Sequence, residues 1–103
     1  MATPEDLARW VAAVDCYSAA DIQGAVDLFS PMSGYSKISF NLGMLHLEQK
    51  DYKEALSSFD DAIAADKYSA IAHFQKAYIH FLRDELGTAE KEYTLSLNVG
   101  FNV

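Results

Sequence analysis

SKISFNLGMLHLEQKDYKEALSSFDDAIAADKYS, residues 36 to 69, and AIAHFQKAYIHFLRDELGTAEKEYTLSLNVGFNV, residues 70 to 103, are one 34-residue pattern written twice. The register superposes Phe40 on Phe74, Gly43 on Ala77, His46 on His80, Leu47 on Phe81, Ala55 on Ala89 and Phe59 on Tyr93. Each copy predicts a helix, a short polar break and a second helix. Asp51 supplies an N-cap for the second helix of one copy. The corresponding break in the other copy, Arg83-Asp84-Glu85, reads as less regular.

A third copy lies upstream. Trp10 falls where Phe40 falls, Ala13 where Gly43 falls, Ala25 where Ala55 falls and Phe29 where Phe59 falls. The step from Ala25 to Ala55 is 30 residues, so the second helix of the first copy is about one turn short, ending near Ser30-Pro31 before the turn residues Ser33-Gly34. Thr3 before Pro4 makes a helix start, with Glu5 and Asp6 at the positive end of the helix dipole. Small residues at 43, 55, 77 and 89 let the two helices of a unit approach closely. Phe29, Phe59 and Tyr93 then fill the space between one pair and the next. A single pair cannot bury its apolar faces, so the core requires stacking.

This period, with its small-small-aromatic arrangement, resembles the tetratricopeptide repeat (TPR) over nearly the whole chain. The resemblance implies an all-α fold, a right-handed superhelix of three helix-turn-helix repeats with the first repeat shortened. The expected organisation is one domain, residues 1–103, with repeats of about 6–35, 36–69 and 70–103.

Composition narrows the partners. The 103 residues carry 8 Lys+Arg against 15 Asp+Glu, a net charge of −7, with 50% hydrophobic and 22% charged residues. That is one small globular domain. The negative charge argues against nucleic acid and anionic membranes, which are polyanions. The lone Cys16 cannot close an internal disulfide, so a reducing, cytoplasmic setting is expected. MATPEDLARW lacks the positive region and apolar run of a signal peptide, and no transmembrane segment is expected.

Three histidines and a cysteine invite a metal or nucleophile reading. Cys16, His46 and His80 fall at one place in successive repeats, about a helix diameter (~10 Å) apart, whereas zinc holds its ligands near 2 Å. His73 and His80 are seven residues apart on one helix, again about 10 Å. They read as inter-helix packing residues. Asp60 and Asp61 are adjacent on a helix and point to different, solvated faces. No phosphate-binding glycine loop and no serine elbow occurs. No catalytic residue, metal site or cofactor is expected, and the chain does not read as an enzyme.

In a TPR array the first helices line a concave face, and the inter-repeat loops form an edge; either can hold a partner. The concave positions are Trp10, Val14 and Tyr17, then Lys37, Phe40, Asn41, Met44 and Leu47, then Ile71, Phe74, Gln75, Tyr78 and Phe81. This aromatic, nearly uncharged stripe reads either as packing within the superhelix or as a groove for an extended peptide. The TPR class that grips acidic chaperone C-termini uses a Lys, Asn, Asn, Lys and Arg clamp. Those places here hold Trp10, Val14, Asn41, Ile71 and Gln75, and only Asn41 matches. The groove therefore lacks the groups that would pair a carboxylate.

Ser36-Lys37-Ile38-Ser39-Phe40-Asn41-Leu42-Gly43, and then Ala65-Asp66-Lys67-Tyr68-Ser69-Ala70-Ile71-Ala72-His73-Phe74-Gln75-Lys76, resemble the N-terminal TPR domain of the NADPH oxidase activator family. The short first repeat is similar too. The resemblance implies a docking module for a GTP-loaded Rac-type small GTPase, in company with the subunits of a superoxide-generating NADPH oxidase complex. In that family the GTPase contacts the inter-repeat loops and a hairpin after the third repeat. Carried over by position, the first-loop serine is Ser36, the second-loop aspartate is Asp66 beside Lys67, and the family's neighbouring histidine falls at Tyr68. For Ser36 and Asp66 the competing reading is helix capping.

The chain departs from that family at its end. Where the family continues with an Arg-Gly-Asn segment, the place of the arginine is taken near Phe101. Leu95, Leu97, Val99, Phe101 and Val103 alternate with the period of a strand, so the tail either diverges or marks a fragment or short isoform. An uncapped third repeat would leave Tyr93, Leu97 and Phe101 on an apolar face, and self-association through that face is expected.

Overall fold

A computed structural model of the chain describes residues 3–32, 34–65 and 70–101. Among the described residues, six α-helices form three successive pairs: α1 (Pro4–Ser18) with α2 (Ile22–Phe29), α3 (Ser36–Glu48) with α4 (Tyr52–Ala65), and α5 (Ala70–Leu82) with α6 (Leu86–Ser96). Contacts between α2 and α3 and between α4 and α5 stack the pairs into an α-solenoid. The first pair is shortened as expected: α2 has 8 residues against 14 in α4, and a 3-10 turn, Ser30–Met32, closes it.

The N-terminus is held by a capping box. The Thr3 hydroxyl accepts the Asp6 amide at 3.1 Å, and the Asp6 carboxylate accepts the Thr3 amide at 3.1 Å. Pro4 at the first helical position loses no bond the helix would have made.

The three turns within pairs are copies of one another. Ala20, Lys50 and Asp84 sit in the left-handed region, with φ of 62°, 60° and 62°. In each turn the next amide returns to a carbonyl five residues back: Asp21 to Cys16 at 2.8 Å, Asp51 to His46 at 2.9 Å and Glu85 to His80 at 2.8 Å. The preceding amide bonds the carbonyl three residues back, from Ala20 to Tyr17, Lys50 to Leu47 and Asp84 to Phe81. This is the Schellman helix end, made three times without glycine. The Arg83-Asp84-Glu85 break, expected to be irregular, follows the same geometry. Its difference is confined to the side chain. Asp21 caps the Gly24 amide at 3.0 Å and Asp51 reaches the Glu54 amide at 3.4 Å, whereas Glu85 makes no cap bond.

The core lies between the pairs. Ile38, Leu42 and Leu45 of α3 pack on Ala25, Val26 and Phe29 of α2. Ala72 and Ile79 of α5 pack on Ala55, Phe59 and Ala62 of α4. Gly43 is buried, and a Cβ there would lie 2.6 Å from the Phe59 ring. Absence of a side chain lets the ring lie against the α3 backbone.

The tail is a correction to the sequence reading. Beyond Ser96 the backbone continues as a π-helical turn, Leu97–Phe101, and no strand forms among the described residues. A lone strand would leave its amides and carbonyls without a ladder, while extending a helix already nucleated costs only propagation. Alternation over 95–101 thus reports apolar content and not a pleat, and Val103 lies outside the described residues.

Candidate functional site

A groove of about 610 Å3 opens between α1, α3 and α5. Val14 and Tyr17 of α1 form one wall, Tyr78 of α5 the other, and Asn41, Met44, Leu45, Leu47 and Glu48 of α3 lie between, with Phe29 of α2 beneath. The spacing follows from the helix: Asn41, Met44 and Glu48 are successive members of one face. Tyr17 and Tyr78 remain 49% and 46% exposed, so two aromatic rings flank an open apolar surface.

Of the thirteen concave positions named from the sequence, Val14, Tyr17, Asn41, Met44, Leu47 and Tyr78 line this space. Trp10, Phe40 and Phe74 do not. Trp10 is 45% exposed one turn before Val14. Phe40 is turned into the second core, edge-on to Phe59 with ring centroids 5.5 Å apart. Phe74 faces Tyr93 at 6.4 Å and, with Phe81 and Ala89, borders a separate shallow space between α5 and α6. Phe29, Leu45 and Glu48 were not anticipated. Continuing the Asn41–Met44 stripe by one turn would have reached Glu48.

On the loop edge, Ser36 is the first residue of α3, and Tyr35 occupies the cap position without a side-chain capping bond to the helix. The Ser36 hydroxyl donates to the Ala62 carbonyl at 3.0 Å, tying the start of α3 to the last turn of α4. It is therefore a tether between helices and not the helix cap its position suggested. Asp66, Lys67 and Tyr68 lie outside the described residues. Near the same edge the Tyr35 hydroxyl donates to the Asp6 carboxylate at 2.8 Å. The Asp6 carboxyl is held below its usual range by the Thr3 amide and the Tyr35 hydroxyl, and the Tyr35 phenol is raised by the same bond.

A charged cluster joins the last two pairs. The Lys76 ammonium of α5 lies 2.6 Å from Asp60 of α4 and 3.3 Å from Glu92 of α6, and His73 lies 3.0 Å from Glu92. Burial alone would lower the Lys76 pKa, but the Asp60 and Glu92 carboxylates outweigh it and hold the ammonium above its ordinary value. Asp60, read from the sequence as simply solvated, thus has a partner, while Asp61 is exposed.

Cys16, His46 and His80, equivalent by register, have different surroundings. His80 pairs with Glu85 at 2.9 Å, which lowers the Glu85 pKa. His46 Nδ1 is buried without a hydrogen-bond partner. Cys16 is half-buried, and burial together with Asp21 and Asp15 pushes its thiol up. A raised thiol pKa is the opposite of what a nucleophile needs. Among the described residues, no three His, Cys, Asp or Glu side chains are grouped to hold a metal ion. No helix among them is long and apolar enough to cross a membrane.

The tetratricopeptide repeat family pattern matches residues 7–70 and again 40–97. Neutrophil cytosol factor 2 of Homo sapiens is 30% identical over 93 residues, covering 89% of this chain and 18% of that protein. The NADPH oxidase activator of Dictyostelium discoideum is 22% identical over 90 residues, covering 86% and 15%. NADPH oxidase activator 1 of Rattus norvegicus is 28% identical over 94 residues, covering 90% and 21%. The chain thus spans about a fifth or less of the length of these relatives. Among solved structures, the second TPR of Spaghetti (RPAP3), bound to the HSP90 peptide SRMEEVD, superposes with a TM-score of 0.79 at 14% identity, covering 93% of both chains. MamA superposes at 0.82 and 12% identity, covering 92% of this chain and 58% of its own. At such identities the likeness is one of fold. The repeat period, the stacked pairs and these matches agree: the chain belongs to the tetratricopeptide repeat family, as an interaction module related to the NADPH oxidase activators.

Proposed function

We propose that this chain is the docking module of an NADPH oxidase regulator, binding a GTP-loaded Rac-type small GTPase through the loops that join its repeats. The observation that carries this reading is the similarity to oxidase activators over about nine-tenths of the chain, a stretch that includes both inter-repeat loops. Ser36 would act from the start of α3, at the edge of the first loop, and Asp66, Lys67 and Tyr68 from the second. Other oxidase subunits, a cytoplasmic setting and a part in superoxide generation go with the same reading. A partner that reads the GTPase switch loops discriminates through their order, since the γ-phosphate holds them in place.

The test is capture of purified Rac-type protein in its two nucleotide states. Strong retention of the GTP form over the GDP form is expected, and Asp66→Lys should weaken it by about 2–5 kcal/mol where the aspartate is buried and paired. Equal capture of both forms would overturn the proposal. A second reading is favoured by the apolar groove spanning three first helices: an extended peptide bound on the concave face. There Tyr78→Ala, at a half-exposed position, should abolish partner capture while Asp66→Lys leaves it intact.

A further inference from the structure

The groove has a charge signature of its own. Its lining is apolar and aromatic except for Asn41 and Glu48, and Glu48 carries the only charge among the lining residues. No Lys, Arg or His faces the space from α1, α2, α3 or α5 within that lining. The chain as a whole carries −7. An anionic ligand would meet an exposed carboxylate of like charge, which disfavours it. A cationic side chain would find a charge-assisted bond there, with its methylene stem along the apolar surface.

The course of the groove fixes the ligand's form. The lining comes from α1, α3 and α5 in turn, so an occupant that meets all of it must run across three successive helices, as an extended chain of several residues does. Asn41 offers both a donor and an acceptor, as a bound peptide backbone requires.

We infer that the groove takes an extended polypeptide in which a bulky apolar side chain, seated over Met44 between Tyr17 and Tyr78, is followed by a Lys or Arg paired with Glu48. The inference rests on the peptide-groove reading above and goes further in naming the partner's charge. It sets this groove apart from one that holds SRMEEVD, a peptide with three acids near its carboxyl end.

Fluorescence anisotropy with three labelled peptides tests it: ALKLALK, its charge-inverted counterpart ALELALE, and SRMEEVD. The basic peptide should bind most tightly, and Glu48→Gln should weaken it by about tenfold, as loss of one hydrogen bond to a charged group does. Asp61→Asn removes the same charge from an exposed site on α4 and should leave binding within about twofold. Glu48 and Asp61 are both exposed, so neither substitution threatens the fold, and circular dichroism verifies that. Equal losses in the two variants would show attraction to bulk charge and overturn the assignment of Glu48. Tighter binding of either acidic peptide, lost in Met44→Gln, would keep the groove as a peptide site and overturn its basic preference. Failure of all three peptides to bind would overturn the groove reading itself.

Discussion

Phe59 in α4 and Tyr93 in α6 hold the same place in successive repeats, yet Phe59 is fully buried and Tyr93 is 46% exposed. Their partners behave alike: Phe40 is half-buried and Phe74 is 42% exposed. The ring pairs are nonetheless near copies, at interplanar angles of 60° and 59° and centroid distances of 5.5 and 6.4 Å. The aromatic pairing therefore belongs to the helix pair itself, while burial is conferred by the next pair. In the middle repeat α5 supplies it, through Ala72 and Ile79. The wider spacing in the last pair matches a second difference, Ala77 in the place of Gly43. Stability in such an array divides into a part within each pair and a part between neighbours, and the two aromatic positions separate these parts.

The largest expected effect tests that division directly. Phe59→Ala should cost about 3–5 kcal/mol through a cavity between pairs, and Tyr93→Ala about 1 kcal/mol, because half its surface is already in water. Urea titration of both variants reads the difference, and equal losses would erase the distinction between the two repeats.

Lys76 links those repeats electrostatically, and Lys76→Met should cost about 1.5–3 kcal/mol by leaving hydrogen-bonded carboxylates unmatched. Its folded pKa is raised above the ordinary 10.5. The contribution is therefore fully present below pH 10.5 and disappears as pH climbs through the higher folded value. Denaturation at several pH values should show a constant gap between wild type and variant up to that point, narrowing beyond it. A gap that instead closes toward acid, with none of the alkaline narrowing, would assign the effect to the carboxylates alone.

Gly43→Ala asks whether the middle repeat needs its closer ring. Helix propensity favours the change by about 1 kcal/mol, but displacing a packed ring costs about 1–3 kcal/mol, so a net loss of about 1 kcal/mol is expected. A net gain would show that Phe59 can adopt the spacing of Tyr93 freely. Smallest of all, Ala20→Gly should stabilise the first turn by about 0.5–1 kcal/mol, since glycine carries no Cβ penalty at positive φ. Asp84→Gly should give less, because aspartate tolerates this region better than alanine. A thermal melt in which Ala20→Gly lowers the midpoint would contradict the turn geometry.

The repeat was readable because each pair buries the same positions for the same reason, so Gly43, Ala55 and Phe59 recur at a fixed spacing as Ala77, Ala89 and Tyr93. Helix ends were readable where a side chain caps them, at Thr3 and Asp51, and misread at Arg83–Glu85, where backbone bonds make the turn unaided. The site was harder. A helical stripe marks one side of α3, but Phe40 and Met44 diverge within it, one into the core beside Phe59 and the other to the groove. What separates them is the placement of α4 and α1 around α3, a tertiary fact with no local pattern. Ser36 shows the same limit: a serine at a helix start suggests a cap, and only the nearness of Ala62 makes it a tether.

The suppressed thiol of Cys16 has a consequence for measurement. It is the only sulfhydryl in the chain, placed in the first pair, where burial and the carboxylates of Asp21 and Asp15 disfavour its thiolate. The thiolate is the form that attacks a disulfide-exchange reagent, expelling the reagent's other sulfur as a thiolate, so labelling is slow while α1 and α2 remain docked and accelerates when they part. Its rate in native buffer is a clock for local opening of the first helix pair. Read against global unfolding in urea, that clock tells whether the shortened first pair breathes on its own or only when the whole stack comes apart.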